Sequence, residues 1–301
     1  MRIRKPGKVH ERIWFLGREE SGVYLLEGKN GSMIVSGGMS YIISDILQQF
    51  KEFAIDENRI KKLLILHSHF DHVGIVPFMK RRHPEIEVYA SQRAWEILQM
   101  DKAILTINEF SRNVAKKMKK GNVYTTFDLE WRKDVSGKTI REGDHIELGG
   151  LEVSILEIPG HSSCCIGAYI PELKILFPTD GGGIPLDKTI IISGNSNYTQ
   201  YQQSLEKLKN YEVEIYCADH YGYITGKEAR EFVSKSIEMA KKKRAQMEEI
   251  YRSTRDIEST AQKLVSFVYE EDPSYFLSPE ILLDIYRQMV RHIAMVIEGK
   301  A

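Results

Sequence analysis

The segment His67-Ser68-His69-Phe70-Asp71-His72 places three imidazoles and one carboxylate within six consecutive residues. Imidazole nitrogens and carboxylate oxygens are the donors that hold borderline divalent cations. In extended backbone alternate side chains share a face, so His67 and His69 can grip one ion while Asp71 and His72 turn toward another. The run ahead of them, Lys62-Leu63-Leu64-Ile65-Leu66, reads as a buried strand that ends where the donors begin. Residues 73–82 read as a helix, in which Pro77 is tolerable only near the first turn.

The elements that must position further donors repeat this grammar. Residues 151–158 form a strand candidate ending in Pro159-Gly160-His161, residues 174–177 one ending in Thr179-Asp180-Gly181, and residues 213–217 one ending in Asp219-His220. Each delivers a donor just past its carboxyl end, the edge where layered α/β folds build their sites. Five of the nine histidines, His67, His69, His72, His161 and His220, fall at these ends. With Asp71 and Asp180 they define a candidate metal site; His10, His83, His145 and His292 lie outside the pattern.

HSHFDH resembles the HxHxDH signature of the metallo-β-lactamase superfamily, and EIPGHS, FPTDGG and ADHYG resemble its later ligand motifs in the right order. The resemblance implies an α/β fold of four layers, an αββα sandwich, with a C-terminal helical extension. It implies that His67, His69 and His161 hold one metal and Asp71, His72 and His220 a second, with Asp180 bridging. Two divalent ions are expected, zinc or iron, with manganese also compatible. The implied activity is hydrolysis by a metal-bridging hydroxide that attacks a carbonyl, with Asp71 as the catalytic residue orienting it or relaying a proton.

The stretch Val35-Ser36-Gly37-Gly38-Met39-Ser40, HSHFDHVGIVPF and the helical tail are similar to the quinolone-signal-response, thioesterase-like branch of that superfamily. This implies hydrolysis of a thioester such as an acyl-CoA. Lactone, ester and phosphodiester hydrolysis use the same ligands, so these stay open as alternatives. Other classes are an iron-dependent redox enzyme, flavodiiron-like or a sulfur dioxygenase, and a regulatory binding protein. Flavodiiron relatives carry Glu where His69 stands. Two positions depart from the family pattern: Ser36 occupies the place of an Asp, and Thr179 that of a Gly.

The 301 residues divide into an expected domain at 1–225, with a helical insertion near 92–120, and a C-terminal helical cap at 226–301. In the insertion Trp95, Ile97, Leu98, Ile104, Leu105, Ile107 and Phe110 offer an apolar face. Residues 122–150 read as irregular with short strands. In the tail Thr225 and Glu228 suggest a capping box opening a helix to about Arg244, Asp256 starts a second helix, and Ser278-Pro279 a third. Tyr221 and Tyr223, joining the last motif to the tail, are the expected substrate contacts.

Basic and acidic residues balance at 42 each, so no positive field invites nucleic acid. Three cysteines, two of them the adjacent Cys164 and Cys165, make a poor disulfide framework and point to a reducing compartment. No apolar run reaches membrane-spanning length and the start lacks a secretory apolar core, so a cytoplasmic protein without membrane contact is expected. A small molecule is the expected partner, and the apolar stripe of the tail suggests a homodimer.

Overall fold

The computed structural model describes residues 1–271 and 278–300. A short strand β1 (Arg2–Ile3) is followed by β2 (Gly7–His10), β3 (Ile13–Arg18), β4 (Ser21–Gly28) and β5 (Gly31–Val35), a meander of antiparallel neighbours from β2 onward. Helix α1 (Ile43–Glu52) leads to β6 (Ile60–Leu64), α2 (Val76–Arg82) and β7 (Glu87–Ala90). The stretch expected to hold a helical insertion comes next as α3 (Gln92–Leu98), α4 (Asp101–Lys117) and α5 (Val123–Thr126), before β8 (Lys138–Thr139). Strands β2 to β8 form the first sheet in sequence order, and its β5-β6-β7-β8 half is parallel.

The second sheet gathers β9 (His145–Glu147), β10 (Glu152–Glu157), β11 (Ile166–Ile170) and β12 (Ile175–Phe177). A small hairpin, β13 (Ile184–Leu186) with β14 (Thr189–Ile191), and helix α6 (Tyr198–Leu208) precede β15 (Ile215–Cys217) and β16 (Tyr223–Thr225). The strand order is β1-β16-β15-β12-β11-β10-β9. Helices α7 (Lys227–Thr254), α8 (Ile257–Glu271) and α9 (Pro279–Ile297) complete the described chain.

Three apolar clusters account for the layering. Phe15, Tyr24, Leu64, Leu66, Ile155, Ile166 and Phe177 fill the space between the sheets. Leu63, Ile65, Ile46, Met79 and Leu98 pack helices α1 to α3 on the outer face of the first sheet. Leu176, Tyr216, Tyr201, Phe232, Met247 and Ile293 pack α6, α7 and α9 on the outer face of the second. Residues 63–66 alternate between the two clusters because neighbouring strand residues point to opposite faces. This is the expected four-layer αββα sandwich with C-terminal helices.

Several local expectations change. Pro77 does sit in the first turn of α2, but α7 runs to Thr254, beyond the expected end near Arg244. Its N-cap is Gly226 at φ 66°, without a capping side chain, because Thr225 belongs to β16 and Glu228 pairs with Arg2 at 2.7 Å. The insertion's apolar residues do not share one face: Ile107 is buried, whereas Leu105 is 69% and Phe110 48% exposed. Among the described residues no helix is long and apolar enough to cross a membrane.

Candidate metal centre

The site forms where the carboxyl ends of β6, β10, β12 and β15 meet between the sheets. His67 to His72 come after β6, His161 after β10, Asp180 after β12 and His220 after β15. All seven candidate ligands converge. Ligand atoms of His67, His69 and His161 lie within 4.8 Å of one another, as do those of His67, His72 and Asp180, and of Asp71, His72 and His220. Asp180 stands at the junction: its Oδ2 is 3.2 Å from His72 Nε2 and 3.3 Å from His161 Nε2, and its Oδ1 is 3.7 Å from His220 Nε2.

Second contacts orient the rings. His161 Nδ1 donates to the Ser193 carbonyl at 2.7 Å and His220 Nδ1 to the Glu20 carbonyl at 2.7 Å. His72 Nδ1 donates to Asp219 Oδ2 at 2.8 Å, and His67 Nδ1 lies 3.1 Å from Thr179 Oγ1. A ring that donates from Nδ1 presents the Nε2 lone pair inward when neutral, as a metal requires. His69 is the exception, with Nδ1 facing His161 Nε2 at 3.0 Å.

The donor set fits divalent cations. His67 Nε2 and Asp180 Oδ1 are buried and find no hydrogen-bond partner among the described residues. Buried polar atoms left so are costly, and bound cations are partners that would satisfy them. Burial holds His67 well below the ordinary histidine range and pushes His69 down to about 4; it lowers His161 too. At His72 and His220 burial opposes charge, but Asp180 and Asp71 overcome it, raising His72 well above its ordinary value and His220 to about 9. Against the same burial, imidazoles hold Asp71 and Asp180 well below the carboxylate range.

The expected substrate tyrosines separate. Tyr221, beside His220, sits at φ 63° with Arg4 over its ring at 5.4 Å. Tyr223 does not reach the cluster: it is 5% exposed in the core between the sheets, edge-on to Phe15. Alternation along β16 puts it there. Cys164 and Cys165 are both buried, and Cys164 Sγ lies 3.3 Å from Ser68 Oγ and 3.1 Å from Ser162 Oγ.

Ser36, Thr179 and Tyr221 share an uncommon feature, positive φ without being glycine. Such backbone costs on the order of 1–3 kcal/mol each and clusters at functional sites. Ser36 N–H donates to the Leu64 carbonyl at 2.9 Å, pinning β5 to the strand that carries the histidine turn. Sequence reasoning missed Asp219, Ser193 and Glu20 as supports for the candidate ligands and noted Thr179 only as a departure from a family Gly; Asp219, a carboxylate beside His220 at a strand end, also carried a legible signal.

The superfamily profile described as "Metallo-beta-lactamase superfamily" matches residues 16–220, and the chain belongs to that superfamily. It is 27% identical over 208 residues to hydroxyacylglutathione hydrolase GloC of Haemophilus influenzae, covering 60% of this chain and 86% of that one. It is 25% identical over 177 residues to hydroxyacylglutathione hydrolase of Prochlorococcus marinus, covering 56% of this chain and 54% of that one. A metallo-beta-lactamase family protein from Thermus thermophilus shares the fold, with TM-score 0.69, 16% identity, and coverage of 97% of this chain and 95% of that one. Family and relatives together point to a hydrolase with a candidate His and Asp metal site.

Proposed function

We propose that this protein is a binuclear metal-dependent hydrolase of thioesters, acting on an acyl-CoA, an acylglutathione or a similar acyl thiol, in the manner of the thioesterase-like branch its sequence resembles. The observation that carries this reading is the position of Asp180, whose carboxylate lies within 3.7 Å of imidazoles from both halves of the site. His67, His69 and His161 would hold one cation, Asp71, His72 and His220 the other, and Asp180 both. Two such ions, zinc or iron, supply Lewis acidity toward the carbonyl oxygen and lower the pKa of a water nucleophile.

The chain's own groups do the positioning. Asp71, 21% exposed and 3.5 Å from His220 Nε2, is the carboxylate that can accept a proton at the open side of the site. Tyr221 is proposed as a substrate contact beside His220. Helix α4 packs against the turn Phe70–His72, and Phe110 meets Phe70 there, so an apolar wall borders the ligands. Such a wall suits an acyl chain.

Residues 226–301 are proposed to act as a cap from the other side. His292 of α9 accepts from Thr199 N–H at 3.3 Å in the first turn of α6, next to the Ser196 N–H that donates to the Gly160 carbonyl at 3.0 Å. Phe267, Ile281 and Met295, exposed on α8 and α9, are where a second copy would pack. The three buried thiols suit the cytoplasm.

The test is metal analysis of purified protein together with a panel of acyl-CoA, acylglutathione, lactone and phosphodiester substrates. Two metals per chain and preference for thioesters are expected. Lactone or phosphodiester turnover that outpaces every thioester would overturn the substrate assignment, and Asp180→Asn or His69→Ala protein with full activity would overturn the site.

A further inference from the structure

One oxygen outside the ligand set touches supports of both halves of the site. Asp219 Oδ2 accepts from Thr179 Oγ1 at 2.6 Å and from His72 Nδ1 at 2.8 Å. Thr179 Oγ1 in turn lies 3.1 Å from His67 Nδ1. His67 is assigned to one cation and His72 to the other, so the four groups make a continuous path behind the ligands: His67, Thr179, Asp219, His72.

Hydrogen-bond inventory fixes the direction of this path. An ionised carboxylate only accepts, so Thr179 must spend its one hydroxyl proton on Asp219. Its oxygen then has only lone pairs left for His67, and Nδ1 of His67 must be the donor. The same carboxylate oxygen demands a proton on His72 Nδ1. Asp219 thereby specifies the tautomer of one histidine directly and of another through a hydroxyl.

The pair is built for rigidity. Asp219 is 2% exposed and Thr179 1% exposed. The Asp219 carbonyl accepts from Gly22 N–H at 2.8 Å on β4, and the neighbouring Ala218 carbonyl accepts from Tyr24 Oη at 2.8 Å. The relay therefore joins the β6 turn of the first sheet to the β12 and β15 turns of the second. Two costs mark it as more than packing. Asp219 Oδ1 is buried without a hydrogen-bond partner among the described residues, and Thr179 holds φ 46°, where glycine would be unstrained.

We infer that Asp219 and Thr179 are positioning residues that together set the metal-facing tautomers of His72 and His67. This rests on the proposed binuclear site and adds what selects the ligating nitrogens.

Thr179→Gly removes the hydroxyl at a backbone angle that glycine adopts without strain, and the relieved strain offsets part of the two lost hydrogen bonds, so the metal-free protein should stay folded and its imidazoles can be read. The lost hydroxyl should move His67 toward the Nε2–H tautomer, read by 15N-resolved imidazole NMR of metal-free protein, and lower zinc affinity on the order of 10- to 100-fold. Thr179→Ser should restore both. Asp219→Asn, which keeps an acceptor oxygen, should retain more zinc affinity than Asp219→Ala.

An unchanged His67 tautomer with unchanged zinc affinity in Thr179→Gly would overturn the inference, and so would equal affinity in Asp219→Ala and wild type. Should wild type bind no metal while Thr179→Gly still shifts the tautomer, the relay stands and the binuclear reading falls.

Discussion

Phe110 of α4 meets Phe70 edge-on, with ring centroids 5.5 Å apart and planes at 78°. Phe70 lies between His69 and Asp71, so an aromatic from the insertion rests directly on the ligand turn. Phe110 is nevertheless 48% exposed, so part of its ring stays open to a bound molecule. Phe110→Ala should raise KM for long-chain acyl thioesters by about tenfold, the worth of one partly lost aromatic contact, and leave short-chain substrates nearly unchanged. Kinetics across a chain-length series check this; a uniform change at every length would contradict it.

Metal uptake should release protons unequally. His67, His69 and His161 have lowered values and are already neutral near neutral pH, whereas His72 and His220 are raised and must shed protons before they ligate. Occupation of the Asp71, His72 and His220 half should therefore release protons at about pH 7, and its affinity should climb as pH rises toward about 9. Calorimetric titration in buffers of different ionisation enthalpy reads the proton count. Heats independent of the buffer would contradict the assignment.

The same shift has a stability consequence in metal-free protein. A histidine raised from 6.5 to about 9 on folding contributes stability that is complete below 6.5 and is lost as pH climbs through about 9. Denaturant midpoints of metal-free wild type should thus fall relative to His220→Gln over that window. Parallel curves for the two proteins would show that the folded-state proton is absent.

Removing metal should weaken the fold itself, because ligation stabilises only the folded state. At a free zinc concentration about 100 times Kd the gain is about 2.7 kcal/mol per site. Chelator-treated protein should melt at lower temperature and recover on adding zinc or iron. Asp180→Asn should show a smaller recovery and a loss in kcat on the order of 10²–10³-fold. Equal melting with and without metal would argue against both ions.

Gly160 is a position where a single carbon should matter. At φ 131°, its Cβ would fall 2.2 Å from Tyr201 N and 2.3 Å from Tyr201 Cα, backbone that cannot yield without moving α6. Gly160→Ala should cost at least about 1–3 kcal/mol and displace the adjacent His161. Denaturant unfolding and zinc affinity should fall together; a neutral variant would mean the loop and α6 are less tightly docked than the contacts indicate.

Local sequence was informative where chemistry is dense within a few residues. The donors at His67, His69, Asp71 and His72 and those at His161, Asp180 and His220 could be read because each comes after a short apolar strand, and burial of that strand aims the succeeding turn at one edge. The helix of Ser278-Pro279 was legible from its start signals. The capping box at Thr225 failed because pairing of β16 with β1 and β15 claimed that residue for a strand, a choice made by distant chain. Tyr223 failed similarly, since strand alternation turned its ring into the core.

From the amino-acid sequence alone came the resemblance to the superfamily, through it the layered fold, and the seven candidate donors, since a motif and its residue types lie within short stretches. Only the tertiary structure decided which nitrogen each histidine presents, that Thr179 and Asp219 stand behind two of them, and that α4 packs on the candidate ligand turn. Those outcomes depend on hydrogen bonds between residues up to 200 positions apart. Their partners are chosen by how two sheets close on each other, and no local pattern encodes that.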